Sequence, residues 1–431
     1  MLALKNHPDQ PISQLVVTWL LMIPLFFFAC RGILWFQASQ GNSLGGVGFN
    51  SIAAAKGGGE VAVLVTVFLC VLLLLLTRVI SVLEMCWSNK IFLALALYAL
   101  ASCAWSQFPR RSLQFGIYIV LNLLFVFYLH SRFRPRALMQ LFALIGWIVV
   151  LGSIVFAVAL PKYGVDHRAS TSGAWQGVFV YKNTCSIMVT FLLSVAFYMP
   201  ARSLRDKLLR TAYFLMSVFL IIKTQARTGW IVLAVLLAYV VIMKLIGSFK
   251  ANERTAVVVM LATVFMVLVV GGGLYYSQIL LALGKDSTLT GRTGIWKLVV
   301  VSAMKSPLLG YGYRAFWTGL QGESAYITLM EQWTVPGAHN GFLESWLDLG
   351  LIGLGMVLVT MVVAFRNGVT CLSHGATPIV KWYISILVMT IVTNTAEMTL
   401  MFPNYLTWIM YVLACVGLAH ESKRIRSQAR A

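Results

Sequence analysis

The sequence predicts an all-α polytopic membrane protein with about twelve transmembrane helices. Three observations carry that expectation. Of 431 residues, 60% are hydrophobic and only 11% are charged, against about 25% charged in an ordinary soluble domain. Apolar runs of about 20 residues, the length that crosses a bilayer, recur from end to end. The 33 Lys and Arg outnumber 13 Asp and Glu, for a net charge of +20, and the basic residues cluster in short segments between the apolar runs.

In chain order the expected spans lie near 12–30, 61–80, 90–106, 112–130, 138–160, 180–200, 208–224, 228–247, 255–277, 341–365, 379–396 and 404–420. The first has only Lys5 as a basic flank and no small-residue cleavage site, so it reads as a retained helix. Residues 1–277 thus hold nine helices, 278–340 form a long loop, and 341–431 hold three helices and a tail. Within the loop, Gly291 to Lys297 leads into Leu298 to Met304, which predicts a short amphipathic or interfacial helix stopped at Ser306-Pro307. Gly310-Tyr311-Gly312-Tyr313 predicts a turn whose rings suit a headgroup boundary, as do Trp175, Trp230, Trp296, Trp317, Trp333 and Trp346. The loop is expected to fold back on the membrane surface and cover a cavity.

Arg132, Arg134 and Arg136, then Arg202, Arg205, Lys207 and Arg210, then Lys423, Arg424 and Arg426 fall on one side of the expected topology. The positive-inside rule makes that side cytoplasmic and puts both termini there. The long loop then faces outward, which in a Gram-negative bacterium is the periplasm. The same placement explains the basic excess by orientation and anionic lipid, with no nucleic acid needed. The cysteines at 30, 70, 86, 103, 185, 371 and 415 lack metal or redox spacing and read as small buried hydrophobes.

Chemistry needs titratable groups, and they gather at the outer boundary. His167 and His339 are the outward histidines, and His339 adjoins both the folded loop and a helix start. Near neutral pH an imidazole there can take a proton from a substrate; the plain alternative is an interfacial histidine that only hydrogen-bonds. Arg168, Lys182, Arg227, Arg292 and Arg314 are outward cations, and arginine holds phosphate oxygens bidentately. Spans beginning near Arg227 and Asn340 turn their N-termini outward, where free N–H groups favour an anion. Snorkelling to lipid phosphate explains Arg110 and Arg111 well, and Arg227 less well. Glu344 and Asp348 share a helix face, and Glu344 is placed to orient His339 or to bond a neighbouring helix. Glu397, near the outer end of the eleventh span, is able to pair with an arginine. No Asp-x-Asp or His-rich cluster appears, so no metal and no cofactor is expected.

The segments Trp175-Gln-Gly-Val-Phe-Val-Tyr-Lys182-Asn183, Arg227-Thr-Gly-Trp230, Gly291-Arg292-Thr-Gly-Ile-Trp296, Gly310-Tyr-Gly-Tyr313 and His339-Asn340-Gly-Phe-Leu-Glu344 resemble the O-antigen ligase superfamily, which also includes O-antigen and exopolysaccharide polymerases. The resemblance covers roughly the fifth span to the tenth. It implies a GT-C-like inner-membrane glycosyltransferase without a nucleotide-sugar site. The donor it implies is a glycan on undecaprenyl pyrophosphate, and the acceptor a sugar hydroxyl of lipid A-core or, in a polymerase, another lipid-linked glycan. It puts the essential histidine on His339 and the family arginines on Arg227 and Arg292, with Lys182 as a further basic residue. Asn340, Glu344, Arg314 and Arg168 are candidate supporting residues. Direct attack on such a donor inverts the anomeric centre. A transporter of lipid or polysaccharide is the alternative of another class; it predicts polar residues at mid-membrane and internal repeats, and neither is evident.

Overall fold

A computed structural model describes residues 14–29, 58–167, 173–247, 253, 292–375 and 377–428. The expected span at 255–277, loop residues 278–291 and Arg168 lie outside the described residues.

Helices begin where the chain supplies a start signal. α1 (Gln14–Ala29) and α2 (Gly58–Leu76) precede a break at Thr77-Arg78, where Thr77 Oγ1 donates to Leu74 O at 2.6 Å. Beyond it α3 (Val79–Ser88) runs at 92° to α2, so the single span expected over 61–80 is bent. α4 (Lys90–Ala101) follows. α5 (Pro109–Arg132) and α6 (Pro135–Ala159) each open on a proline, whose missing N–H costs nothing at a helix start. After the single turn α7 (Pro161–Gly164) come α8 (Lys182–Leu193), α9 (Leu204–Lys223) and α10 (Arg227–Ile246). A capping box between Ser203 and Asp206 starts α9. The loop region holds α11 (Arg292–Lys305) and α12 (Ser324–Glu331). The chain then runs through α13 (Gly341–Ser373), α14 (Pro378–Asn394) and α15 (Leu406–Gln428).

Among the described residues, α5, α6, α10 and α13 are long and apolar enough to cross a membrane, and the bent pair α2–α3 adds a fifth candidate. Shorter apolar helices cover Lys90–Ala104, Lys182–Phe197 and Pro378–Asn394. The main core runs through the bundle, with Phe127, Phe142, Phe191, Trp382 and Tyr411 enclosed. Leu151, Val155, Val158, Leu245 and Val362 stay exposed on outer faces, which suits helices solvated by lipid. The chain is an all-helical, multi-pass membrane protein.

A second, smaller core lies apart from the first. It joins Ile295, Val299 and Ala303 of α11 to Phe316, Trp317, Ile327, Val335, Ala338 and Leu347. The first turns of α13 therefore pack with the loop, and α13 is broken at Gly350 (φ 67°, ψ −172°). The segment 307–312 fills that break. Tyr311 and Gly312 donate N–H to Leu347 O and Asp348 O at 2.8 and 3.0 Å. Leu351 and Ile352 donate to Pro307 O and Leu308 O at 2.7 and 3.3 Å. Backbone groups orphaned at a helix break are costly away from water, and here the loop supplies their partners. A Cβ on Gly310 would lie 2.6 Å from Gly350 N, so the two backbones meet only because both residues are glycine. The Gly-Tyr-Gly-Tyr turn is thus a plug in a broken helix and not a headgroup anchor. Tyr313 is buried, its hydroxyl donating to Met401 O, and Tyr311 donates to Ser302 O at 2.6 Å.

Candidate active site

Three described helices, α8, α11 and α13, bring their N-terminal ends to one carboxylate. Glu397 stands in the turn after α14, and Asn394 shapes that turn by accepting N–H bonds from Thr399 and Leu400 at 2.7 and 2.9 Å. Glu397 Oε1 accepts from Asn183 Nδ2 of α8 at 2.7 Å and from Arg292 Nη2 of α11 at 3.1 Å. Arg292 Nη1 also donates to Ala396 O. Oε2 faces His339 Nδ1 at 3.7 Å. That is an ion-pair separation, longer than a hydrogen bond, and Nδ1 has no hydrogen-bond partner. Burial raises the Glu397 pKa, but the His339 imidazole, the Arg292 charge and the Asn183 amide outweigh it and hold the carboxyl below its ordinary value.

His339 is held by its neighbours. Its backbone is left-handed (φ 48°), an uncommon conformation that persists only where surroundings enforce it. They do so on both sides. The preceding Ala338 donates N–H to Glu344 Oε2 at 3.0 Å and accepts from Trp296 Nε1 at 2.8 Å. The following Asn340 caps α13, its Oδ1 accepting from Phe342 N–H and Leu343 N–H at 3.0 and 3.1 Å. Gly341 then sits directly against Asn394, where a side chain would collide. The ring is left 23% exposed, fixed but reachable.

Two further cations stand at helix starts beside this group. Lys182 is the first residue of α8 and adjoins Asn183. Arg227 is the exposed first residue of α10, and Gly229 lets α10 approach Ser186 in the first turn of α8. Neither helix has a side-chain cap, so its first N–H groups remain available to an anion. The structure records no direct contact between Arg227 and His339; they are joined through α8.

Two supporting residues take other roles. Glu344 does not orient His339 directly. Its Oε1 accepts from Arg314 Nη1 at 2.8 Å, and its Oε2 from Trp317 Nε1 at 2.9 Å and from Ala338 N–H. Arg314 is 8% exposed and Glu344 3% exposed; Arg314 also lies 4.4 Å over the Phe402 ring and is not open to a substrate phosphate. The pair braces the loop that carries His339. Trp296 and Trp317, expected at the headgroup boundary, are donors within this brace. Glu397 pairs with an arginine, as the sequence suggested, and that arginine is Arg292; its place opposite His339 and the part played by Asn183 are what sequence reasoning passed over. The signal for Glu397 was its scarcity, as one of few carboxylates at the outer boundary, and Asn183 lay inside a quoted motif. Among the described residues no three His, Cys, Asp or Glu side chains gather into a metal-ligand set.

Residues 212–358 match the family model described as O-Antigen ligase. That stretch contains Arg227, Arg292 and His339; Lys182, Asn183 and Glu397 lie outside it. Over 288 residues the chain is 28% identical to the exopolysaccharide production protein ExoQ of Rhizobium meliloti (strain 1021), a match covering 63% of each chain. The chain thus spans less than two thirds of that relative's length. Together the two matches support the O-antigen ligase superfamily for this chain.

Proposed function

We propose that this chain is a membrane glycosyltransferase that moves a glycan from undecaprenyl pyrophosphate to a sugar hydroxyl. The observation that carries the reading is the His339–Glu397 pair, set among Arg292, Lys182, Arg227 and the uncapped starts of α8 and α10.

Each residue has a step. The donor's diphosphate lies across the starts of α8 and α10, where Lys182, Arg227 and free backbone N–H groups meet its oxygens. With Nδ1–H directed at Glu397, Nε2 of His339 accepts the proton of the acceptor hydroxyl. The hydroxyl oxygen bonds to the anomeric carbon as the bond from that carbon to the pyrophosphate oxygen breaks. The electron pair leaves with the pyrophosphate, whose growing charge is met by the fixed cations. Attack opposite the leaving group inverts the anomeric centre. The proton accepted by the imidazole is stabilised by Glu397, and a positioned base of this kind is worth typically 10²–10⁴-fold.

The membrane placement belongs to the same reading: the site faces the periplasm, the termini the cytoplasm, in a GT-C-like bundle of about twelve spans. Two acceptors fit the chemistry. Ligation to lipid A-core agrees with the family description. Polymerisation onto another lipid-linked glycan is favoured by the likeness to an exopolysaccharide production protein. Loss of a ligase leaves long glycan on its lipid carrier and bare core, whereas loss of a polymerase leaves single repeats. The decisive experiment on the chemistry combines purified protein, lipid-linked donor and acceptor on a gel. His339→Ala is expected to abolish transfer with donor binding intact, and undiminished transfer by that variant defeats the mechanism.

A further inference from the structure

A cleft of about 680 Å³ opens between the start of α5 and the loop that leads to His339. Its walls carry Phe108, Arg110 and Arg111 on one side and Thr318, Gln321 and Thr334 on the other. The volume is that of a small-molecule site. Sequence reasoning assigned Arg110 and Arg111 to lipid phosphate, but the fold turns them toward the loop. Arg111 lies within electrostatic reach of Arg314, Asp348 and Glu344, well inside the protein. The wall is rigid, because Gln107 Nε2 donates to Ala315 O at 3.1 Å and Gln107 Oε1 accepts from Glu323 N–H at 3.2 Å.

The lining selects its ligand by chemistry. A phenyl ring, hydroxyls and side-chain amides suit a sugar ring. Among the described residues no carboxylate lines the cleft to repel an anion. Arg110 is exposed and has no ion-pair or hydrogen-bond partner among the described residues, so its fork is open to a carboxylate or phosphate. Thr334 is five residues from His339, at most about 18 Å along an extended chain. The wall of the cleft is therefore tied by a short stretch of chain to the residue that carries the imidazole.

We infer that this cleft is a subsite for an acidic saccharide, holding the acceptor glycan by a carboxylate or phosphate while a neighbouring hydroxyl reaches His339. The role as acceptor subsite rests on the transfer reaction proposed above; the binding itself does not. The test uses full-length protein in phosphatidylcholine nanodiscs, titrated calorimetrically with a uronic acid-containing disaccharide and with its neutral parent. The acidic sugar is expected to bind saturably and at least about tenfold more tightly than the neutral one. Arg110→Gln, at an exposed position, should erase that difference, and Thr334→Trp should block both sugars by filling the cleft. His339→Ala should bind as the wild type does, so a failed transfer mechanism remains distinguishable from a failed subsite. Absence of saturable binding by either sugar overturns the inference, as does an acidic preference that survives Arg110→Gln. Discs containing phosphatidylglycerol form the last arm. If that lipid displaces the acidic sugar completely and Arg110→Gln relieves the displacement, the cleft holds lipid phosphate, and the saccharide reading fails.

Discussion

Replacing Glu397 by Gln removes one charge and keeps the shape. Its consequence can be worked from the 3.7 Å between Glu397 Oε2 and His339 Nδ1. When the imidazole accepts the acceptor's proton, a positive charge arises that distance from a carboxylate. Coulomb's law gives about 4 kcal/mol at an effective dielectric of 20, and about 1 kcal/mol in bulk water. The ring is 23% exposed and the carboxylate 14% exposed, so the effect falls between those limits. Converted at 1.36 kcal/mol per decade, Glu397→Gln lowers kcat by roughly 10- to 10³-fold. The amide still accepts from Asn183, and Arg292 is no longer cancelled by a carboxylate, so donor affinity is kept or tightened and the loss falls on kcat. The assay is initial-rate transfer by protein in proteoliposomes, with lipid-linked glycan as donor. A variant with kcat within twofold of wild type refutes the pairing of Glu397 with a catalytic imidazole.

Other perturbations separate the remaining roles. Arg227→Ala should weaken donor binding by about tenfold, the low end for a hydrogen bond to a charged group because Arg227 is exposed; unaltered donor affinity counts against its place at the diphosphate. Glu344→Ala leaves a buried Arg314 without its counter-charge, at a cost of about 3–5 kcal/mol, so thermal unfolding in detergent should shift far more than for Arg227→Ala. Glu397 titrates below its ordinary value in the folded protein. Its contribution to stability is therefore complete above the unfolded carboxyl value of about 4.3 and is lost as pH falls through the lowered folded value. Acid unfolding of Glu397→Gln should lack that component, and identical acid profiles for the two proteins contradict it.

Apolar periodicity and length made the helices legible, because lipid demands long runs of hydrophobic residues and penalises anything else. Breaks were less legible. Nothing in the apolar run through Gly350 announces that it is interrupted, since the partners for its orphaned backbone groups come from Pro307 to Gly312, some forty residues earlier. The same limit governed the site. His339, Arg227 and Arg292 stood out by residue type at a helix boundary. Glu344 was the natural candidate for the partner of His339 because it lies five residues away on the same helix start. Geometry chose Glu397 instead, from another helix, and gave Glu344 to Arg314. Local spacing reports which residues share a helix face; it does not report which distant turn Asn394 folds against that face.

The division of labour between the two oxygens of Glu397 answers an electrostatic difficulty. A histidine that accepts a proton gains from a nearby anion, yet a bare carboxylate beside a diphosphate repels the donor. Oε1 takes Arg292 and Asn183, while Oε2 is left facing His339. From a distance the Arg292–Glu397 pair is neutral, so it does not oppose the approach of the diphosphate to Lys182 and Arg227. From 3.7 Å the imidazole still meets a carboxylate oxygen. In the proposed reaction Arg292 acts on the donor chiefly by cancelling a repulsion, and Arg292→Gln should resemble the loss of a donor-binding cation even though its terminal nitrogens are already bonded. The double variant Arg292→Gln/Glu397→Gln distinguishes this from direct contact. Removing the carboxylate as well should restore donor affinity while leaving kcat low. A double variant whose donor affinity stays as weak as that of Arg292→Gln alone means that Arg292 touches the diphosphate itself.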